Sequence, residues 1–309
     1  MFDTVNFTLR QDEVSGVDFL GEMPNYLDDT GEHIYEGNHY ITGRLEGYKV
    51  TVGSHQVKVT DHSLCKFLFG NNYQTMGRKD TGRAIEKLSD LLHVPMQLAA
   101  VTRLDVAQNF IMQHPVEVYL SHLGQMKGAK RLPMDFGLYY KMRNEMLCLY
   151  DKNKEQDGGG IPELYRGRNV LRIEQRYKGR IARRLGCKEV TGGTLSDSDF
   201  YTMICKRWGA AFQEIQKINE LIFNFEKMSG KKELYRLGVL ALVERAGGQN
   251  ALFEQIREAQ KTGKLKKEQA FCLRKAVEDA CKIETGFAVQ SDVIAELNKK
   301  VGEAVRCNM

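Results

Sequence analysis

Three short segments of the chain alternate apolar residues with a phenol, carboxylates and cations. A phenol can attack phosphorus, carboxylates can hold a divalent ion, and cations can neutralise phosphate oxygens. Together these groups indicate phosphodiester chemistry through a covalent phosphotyrosyl bond. The segments are TRLDVAQNF (102–110), with Arg103 and Asp105; LCLYDKNKE (147–155), with Tyr150, Lys152 and Glu155; and VLRIEQRYK (170–178), with Arg172 and Glu174.

Each group has a definite role in such a reaction. Tyr150 would attack phosphorus, form a 5′-phosphotyrosyl bond and free a 3′-hydroxyl, which keeps the energy of the phosphodiester for a later strand transfer. Carboxylates at Asp105 and Glu174 are hard donors suited to Mg²⁺ or Mn²⁺, and Glu155 is a candidate third ligand. The cations that would hold nonbridging oxygens or lower the pKa of the tyrosine are Arg103, Arg172 and Lys152.

The alternation within these segments indicates β-strands that have one apolar and one reactive face. If the three strands join one sheet with their apolar sides on the core, Tyr150 and the charged side chains share the other side. Tyr139 and Tyr140 are rival nucleophiles. We favour Tyr150 because it lies at a strand end, where a reactive face can open.

Periodicity predicts the elements that must position these residues. The acidic, turn-rich residues 11–37 suggest a loop, and the chain from 178 onward is predicted to be helical. Gly70 is expected to close the first helix. Predicted strands cover 2–10, two or three stretches within 38–60, 97–111, 135–141, 145–152 and 169–177; predicted helices cover 62–69, 79–93 and 115–126.

The order of these elements predicts an α+β fold. We expect a mainly antiparallel central sheet with flanking helices, followed by a helical C-terminal part. The predicted catalytic domain covers 1–190, and the predicted helical domain covers 191–309. The boundary falls in the polar, glycine-containing stretch that separates the last predicted strand from the helices.

The net charge of +5 hides a strong asymmetry along the chain. Residues 1–60 carry ten acidic and four basic side chains, whereas residues 165–188 carry nine basic and one acidic. A dense basic cluster attracts the phosphate backbone through counterion release. The side chains that we expect to bind DNA are Arg166, Arg168, Arg176, Lys178, Arg180, Arg183 and Arg184.

Several protein classes are disfavoured by the sequence. The seven cysteines form no CxxC pair, which argues against a zinc ribbon and favours reduced cytosolic thiols. No secretory leader or membrane span is expected, so a cytoplasmic location in a bacterial host cell is predicted. A GxxxxGK[ST] phosphate loop and the residue order of tyrosine recombinases are both absent, which disfavours an ATPase and a recombinase.

Four segments in order resemble the replication initiators of the filamentous-phage gene-two type and the related small-plasmid Rep proteins. The Arg-[Leu/Ile]-Asp strand, the tyrosine strand and the Arg-[Ile/Phe]-Glu strand of that family match the three segments above. The resemblance covers about 45–190, and the chain lacks the His-hydrophobe-His metal motif of other initiators. The fourth segment is SLCKFLFGNN (63–72), which is similar to the family's Ser-x-x-Lys-x-Leu-x-Gly-x-Asn block.

The resemblance implies a Rep/relaxase-like, metal-dependent nicking and closing enzyme for rolling-circle replication. Tyr150 maps to its nucleophile, while Asp105 and Glu174 map to its metal or active-site acids, with Glu155 matching less closely. The expected partner is origin DNA with a single-stranded or hairpin nick site, and a host helicase is a candidate second partner. A bacterial phage, a plasmid or an integrative element would each suit as the source.

Two hypotheses of different classes remain open. The chain is either a tyrosine nickase or a non-catalytic DNA-binding replication or regulatory protein that uses only the basic cluster of 165–188. The joint presence of Tyr150, Asp105 and Glu174 favours the nickase, because a binding protein does not need all three. The C-terminal helices are compatible with origin recognition, with oligomerisation or with plain bundle packing.

Overall fold

The alternating segments of the sequence pair into a ten-stranded antiparallel sheet in the computed structural model. The structure describes residues 1–156, 160–218, 220–221, 230–281, 288–289 and 291–308. In sheet order the strands are β2 (Asp28–Tyr35), β3 (Asn38–Leu45), β4 (Tyr48–Gly53), β5 (Gln56–Thr60), β1 (Phe2–Arg10), β6 (Ala100–Met112), β11 (Asn169–Lys178), β10 (Glu145–Asp151), β9 (Gly137–Lys141) and β8 (Lys130–Met134).

The strands that carry the reactive segments are neighbours in this sheet. β11 lies between β6 and β10, and both pairings are antiparallel and continuous. Alternation then places Leu147, Leu149 and Ile173 on the apolar side, where they are fully buried. The adjacency on which the predicted site depends is therefore present.

Helices cover the apolar side of the sheet. Phe200, Trp208 and Phe212 belong to one helix after residue 190, and they join the same hydrophobic core as the strands. The helices are α1 (Phe19–Glu22), α2 (Leu64–Phe69), α3 (Arg78–Leu92), α4 (Val116–Ser121), α5 (Lys152–Glu155), α6 (Ile181–Leu185), α7 (Gly192–Leu195), α8 (Ser198–Gln213), α9 (Lys231–Arg245), α10 (Gln249–Lys261), α11 (Lys267–Cys281) and α12 (Asp292–Cys307).

Local signals fix the ends of the helix in the segment 63–72. The Ser63 hydroxyl accepts a hydrogen bond from the backbone amide of Lys66 at 3.0 Å, which caps the first turn of α2. Gly70 ends α2 in the left-handed region, with φ of +76°, as predicted. Both ends agree with the sequence, so the α2 segment is held at a defined place beside β1.

β1 contains a β-bulge near its start. Phe2 pairs with Val106 and Val5 pairs with Leu104, so three steps along β1 match two along β6. One extra residue therefore lies in β1, and Phe2 and Val5 both face the core. As a result Asp3 and Thr4 both line a cavity on the other side of the sheet.

The predicted α+β class is confirmed, and three local expectations need correction. Residues 11–37 were expected to form a loop, but 28–35 form the edge strand β2, which pairs with β3. The helix expected over 115–126 ends at Ser121, and β7 (Leu123–Met126) follows it. The helical part also contains short strands, which are β12 (Ile215–Lys217), paired with β7, and β13 (Glu220–Leu221), paired with β14 (Ala288–Val289).

The division predicted at residue 190 does not coincide with the edge of the core. α8 and α12 contribute buried side chains to the core of the sheet, whereas α9, α10 and α11 pack chiefly on one another. The assignment of two domains at 1–190 and 191–309 thus remains a prediction. Among the described residues, no helix has the length and apolar character needed to cross a membrane.

Candidate active site

Tyr150 and Glu174 meet on the reactive side of the sheet. Tyr150 pairs in register with Arg172 across β10 and β11, and Glu174 lies two residues further along β11. The Tyr150 hydroxyl donates a hydrogen bond of 2.7 Å to Glu174 Oε2. Asp105 pairs in register with Arg176, the next residue of β11 on this side. The predicted phenol and both predicted acids therefore share one face.

Glu174 is held between two arginines. Arg172 Nε donates to its Oε2 at 3.2 Å, and Arg176 Nε donates to its Oε1 at 2.6 Å. Burial alone would raise the pKa of this carboxyl, but Arg172 and Arg176 outweigh it and lower the pKa to about 2. Glu174 is therefore a carboxylate with both oxygens occupied, and it orients the phenol of Tyr150.

The Tyr150 phenol is not activated in this arrangement. Its side chain is buried, and burial together with the neighbouring Glu174 raises the pKa of Tyr150 well above its ordinary value. Arg172 lowers that pKa, but its effect is smaller than that of burial. Of the cations expected to lower the pKa of the tyrosine, Arg172 acts in that direction, but desolvation of the phenolate dominates and the net pKa is raised in the protein without DNA.

The two rival phenols differ in their placement. Tyr140 lies on the core side, and its hydroxyl donates to the carbonyl of Gly124 at 2.7 Å. Tyr139 lies on the reactive side, half-buried, with its ring centre 6.4 Å from that of Tyr150 and 5.8 Å from the guanidinium of Arg176. Tyr139 thus remains a rival to Tyr150, whereas the hydroxyl of Tyr140 is committed to the backbone.

Asp105 forms a bidentate ion pair with its neighbour on β6. Arg103 Nε donates to both carboxylate oxygens at 3.1 Å, and Arg103 Nη2 donates at 2.5 Å. The carboxylate is fully buried, and burial raises its pKa to about 6 although Arg103 opposes the rise. Glu174 adds to the rise, so the two acids interact across the sheet.

Asp3 is a functional candidate that the sequence did not reveal. Its carboxylate accepts from Arg172 Nη2, from the Ser63 hydroxyl and from Asn72 Nδ2, the last at 3.4 Å. Ser63 and Asn72 are polar residues of the segment 63–72, so that segment positions Asp3, which in turn holds Arg172. The available signal was the polar pair Asp3-Thr4 between apolar residues, which interrupts the alternation of β1.

Lys152 and Glu155 are presented by the short helix α5. The Asp151 side chain caps this helix by accepting from the backbone amides of Asn153 and Lys154 at 3.0 and 3.1 Å. Lys152 Nζ donates to Glu155 Oε2 at 2.6 Å. Burial and the nearby Arg172 lower the pKa of Lys152, while burial of Glu155 is outweighed by hydrogen bonds from Lys152 and Gln156, which lower its pKa.

These side chains surround an open cavity of about 370 Å³, which we call the Tyr150 cavity. Four carboxylates and four cations border it together with the phenol, so it is polar and offers cations to an anionic ligand near a nucleophile. Asp105 lies beneath Arg103 and is not part of the lining. The charged residues of the lining are Asp3, Asp61, Glu155, Glu174, Lys66, Arg103, Lys152 and Arg176.

The predicted divalent metal meets donors of the right chemistry that are already engaged. Glu155, Glu174 and Asp105 each accept hydrogen bonds from a lysine or an arginine. Within the described part of the chain, no group of three or more His, Cys, Asp or Glu side chains is arranged to hold a metal ion. A metal at Asp105, Glu174 and Glu155 therefore stays a prediction, and it requires these ion pairs to open.

The residues predicted to bind DNA separate into three places. Arg166 and Arg168 are exposed just before β11. They lie near α5, since Asn153 Nδ2 on that helix donates a hydrogen bond of 2.8 Å to the Arg168 carbonyl. Arg184 donates to Glu145 at 2.6 Å, and Glu145 faces the helix-covered side of β10, opposite Tyr150. The remaining members are Arg176, Lys178 and Arg180 at the far end of β11, and Arg183, exposed on α6.

Asp105→Asn is expected to alter the pH dependence of stability. The pKa of Asp105 is about 6 in the fold against 3.8 when free. Its contribution to stability is therefore full below pH 3.8 and is lost as the pH rises through 6. The variant should gain roughly 2–3 kcal/mol in unfolding free energy relative to the wild type between pH 4 and pH 7, as measured by urea denaturation.

Asp90→Asn, an exposed acid on α3, serves as the matched control for this measurement. Its stability difference from the wild type should stay within about 0.5 kcal/mol at both pH values. A constant difference between Asp105→Asn and the wild type from pH 4 to pH 7 would contradict a strained carboxylate at this position.

The antiparallel sheet and the charged cavity on its open side define an α+β protein with a polar site on one face of its sheet. The family model for the N-terminal part of the phage replication-associated protein encoded by gene two matches residues 1–196, and the chain belongs to this family. It is a rolling-circle replication initiator of the filamentous-phage gene-two type, as the four sequence segments predict. No curated protein matches the chain.

Proposed function

We propose that this replication initiator nicks one strand of origin DNA through Tyr150 and later rejoins it. The hydrogen bond of 2.7 Å between the Tyr150 hydroxyl and Glu174, on the floor of a cavity bordered by Arg103, Lys152 and Arg176, carries the proposal. A scissile phosphate in this cavity would lie between a phenol and cations. Attack by Tyr150 forms the phenol oxygen–phosphorus bond and breaks the phosphorus–3′-oxygen bond.

Proton transfer can follow from the ion pairs of the free protein. A phosphate that draws Arg176 away from Glu174 would free Oε1 of this carboxylate, while Oε2 keeps the hydrogen bond from the Tyr150 hydroxyl. Oε2 would then take the proton of Tyr150 as the phenol attacks. Lys152, whose pKa is lowered by burial, would give a proton to the leaving 3′-oxygen. Arg103, which lines the cavity, would neutralise charge on the phosphoryl oxygens, and Arg172, buried behind the lining, would hold Asp3 and Glu174 in place.

Metal dependence is part of the proposal. Glu155 and Glu174 would hold a Mg²⁺ or Mn²⁺ ion after release from Lys152 and Arg176, and Asp105 would join them if Arg103 released it. When bound, the ion would polarise the scissile phosphate. Competition between these cations and the ion for the same carboxylates predicts weak metal binding in the absence of DNA.

The experiment that tests the proposed function needs no knowledge of the origin. The protein is incubated with a library of single-stranded oligonucleotides and Mn²⁺, and the peptide that becomes linked to DNA is mapped by mass spectrometry. We expect one adduct at Tyr150 and a common sequence in the linked oligonucleotides. Binding without any adduct would instead favour the non-catalytic DNA-binding hypothesis, and an adduct at Tyr139 would move the nucleophile to β9.

Removal of the metal is expected to stop nicking. EDTA should abolish adduct formation, and Mn²⁺ or Mg²⁺ should restore it. Glu155→Gln should raise the metal concentration needed for half-maximal activity by about tenfold or more, because a ligand is lost. The same loss can be measured without turnover in a Tyr150→Phe background. Mn²⁺ is titrated by calorimetry into the oligonucleotide complex of this protein, with and without Glu155→Gln, and the two affinities are compared.

Glu163→Gln is the control for Glu155→Gln, since Glu163 is exposed in the same region. It should leave the metal requirement unchanged. Full adduct formation in EDTA would remove the metal from the proposal, and an unchanged metal requirement in Glu155→Gln would remove Glu155 as a ligand.

A further inference from the structure

A second cavity, which we call the turn cavity, opens where β9 turns into β10. Its volume is about 300 Å³. Arg176 borders both this cavity and the Tyr150 cavity, so the two adjoin at this residue on the reactive side of the sheet. Its other borders include Lys141, Met142, Arg143, Met146 and Lys178.

The charge of the turn cavity favours an anion. Lys141, Arg143 and Lys178 are exposed cations at its border. The acid at this border, Glu145, is paired with Arg184 at 2.6 Å from the other side of β10. The field at the cavity therefore comes chiefly from cations, which suits a phosphate backbone.

The apolar part of the turn cavity favours a base as well. Met142 and Met146 are half-buried, and the half-buried ring of Tyr139 lies nearby under Arg176. A free phosphate gains no favourable contact from a methionine thioether, whereas the flat face of a base packs well on methionine and aromatic side chains. Cations around an apolar floor thus match a nucleotide whose base is unstacked, as in a single strand.

The distance between the cavities fits one continuous strand of DNA. Met146 and Tyr150 lie four residues apart on the same side of β10, which corresponds to about 14 Å. We propose that the turn cavity holds a base of the single-stranded DNA next to the scissile phosphate, so that the strand is gripped beside Tyr150. This inference rests on the proposed nicking function, since it assigns the neighbouring nucleotide of that same substrate.

The test compares binding of two probes to protein carrying Tyr150→Phe, measured by fluorescence anisotropy. One probe is a thymidine dodecamer, and the other is an abasic dodecamer of equal charge. We expect a preference for the thymidine probe on the order of tenfold. Met142→Ala/Met146→Ala should reduce that preference at least fivefold and leave abasic binding unchanged, whereas Met142→Leu/Met146→Leu should keep the preference.

The charge of the turn cavity is tested separately. Lys141→Ala/Lys178→Ala should weaken binding of both probes and reduce the slope of log affinity against log salt by about 1.4. Lys49→Ala/Lys58→Ala, which removes two exposed lysines on β4 and β5, is the matched control and should leave the slope unchanged.

Three outcomes would overturn the inference. They are a base preference that survives Met142→Ala/Met146→Ala, a salt slope that survives Lys141→Ala/Lys178→Ala, and equal binding of the two probes. If the methionine double variant loses abasic binding too, it is misfolded, and Met142→Ala alone decides. Adduct formation at Tyr150 is scored independently, so failure of the turn cavity and failure of the nicking function give different results.

Discussion

Tyr150→Phe is expected to abolish nicking of supercoiled origin DNA and formation of the covalent protein–DNA adduct. The variant lacks the nucleophilic oxygen but keeps the ring that packs in the sheet, so the rate should fall on the order of 10⁴-fold or more. DNA affinity should stay within about threefold, because the cations of the cavity are untouched. Agarose gel analysis of nicked circles and denaturing gels of the adduct measure the two activities.

Tyr139→Phe and Tyr140→Phe are the matched controls. Tyr139 lies on the reactive side but outside hydrogen-bond contact with Glu174, whose Oε2 accepts from Tyr150, and Tyr140 is bonded to Gly124 on the core side. Tyr140→Phe should nick normally once its small loss of stability is allowed for. If Tyr150→Phe still forms the covalent adduct and Tyr139→Phe does not, the nucleophile is Tyr139.

Arg172→Ala is expected to cause the largest loss of stability among single changes at the site. Arg172 is fully buried and pairs with Asp3 and Glu174, and these acids hold its pKa above the ordinary value despite burial. Removing it leaves two buried carboxylates without their shared cation, which costs about 3–5 kcal/mol. Urea denaturation at pH 7 measures the loss.

The loss should depend on pH in a defined direction. In the wild type the pKa of Glu174 is about 2 against 4.5 when free, so its stabilising contribution is full above pH 4.5 and disappears as the pH falls through 2. Without Arg172 this pKa rises, so the deficit of Arg172→Ala should be larger at pH 7 than at pH 4. A deficit below about 1 kcal/mol at pH 7 would contradict a central role for Arg172.

Lys178→Ala provides the comparison for Arg172→Ala. Lys178 lies on the same strand and the same side, but it is exposed. Its removal should change the unfolding free energy by less than about 0.5 kcal/mol. The difference between the two losses in unfolding free energy then shows how much stability comes from the burial and ion pairing of Arg172 rather than from its charge alone.

Much of the site could be predicted because alternation on a strand assigns side chains to faces. Tyr150, Arg172 and Glu174 meet across two strands that pair in continuous register, so no residue between them changes side. The basic stretch from Arg166 to Arg184 was predicted as one cluster, but β11 separates its ends and α6 turns Arg184 toward Glu145. Closeness in the sequence does not show at which end of the strand, or on which side of the sheet, each basic side chain lies.

Two features escaped prediction for physical reasons. The place of Asp3 depends on a bulge that arises from pairing with β6, which is about a hundred residues away and leaves no local signal beyond a polar pair. Strand β2 is acidic and exposed along its whole length, so it lacks the apolar alternation by which strands are recognised, and its pairing with β3 alone defines it.

The bulge in β1 makes position 4 tolerant of a change in chain length as well as of a change in residue type. Without Thr4, the residues Phe2, Asp3 and Val5 would alternate as in a regular strand, so Phe2 and Val5 could both stay in the core with Asp3 on the other side. Replacement of Thr4 by another residue would keep the present spacing. During divergence, this part of the gene is thus expected to tolerate both substitutions at position 4 and in-frame loss of its codon.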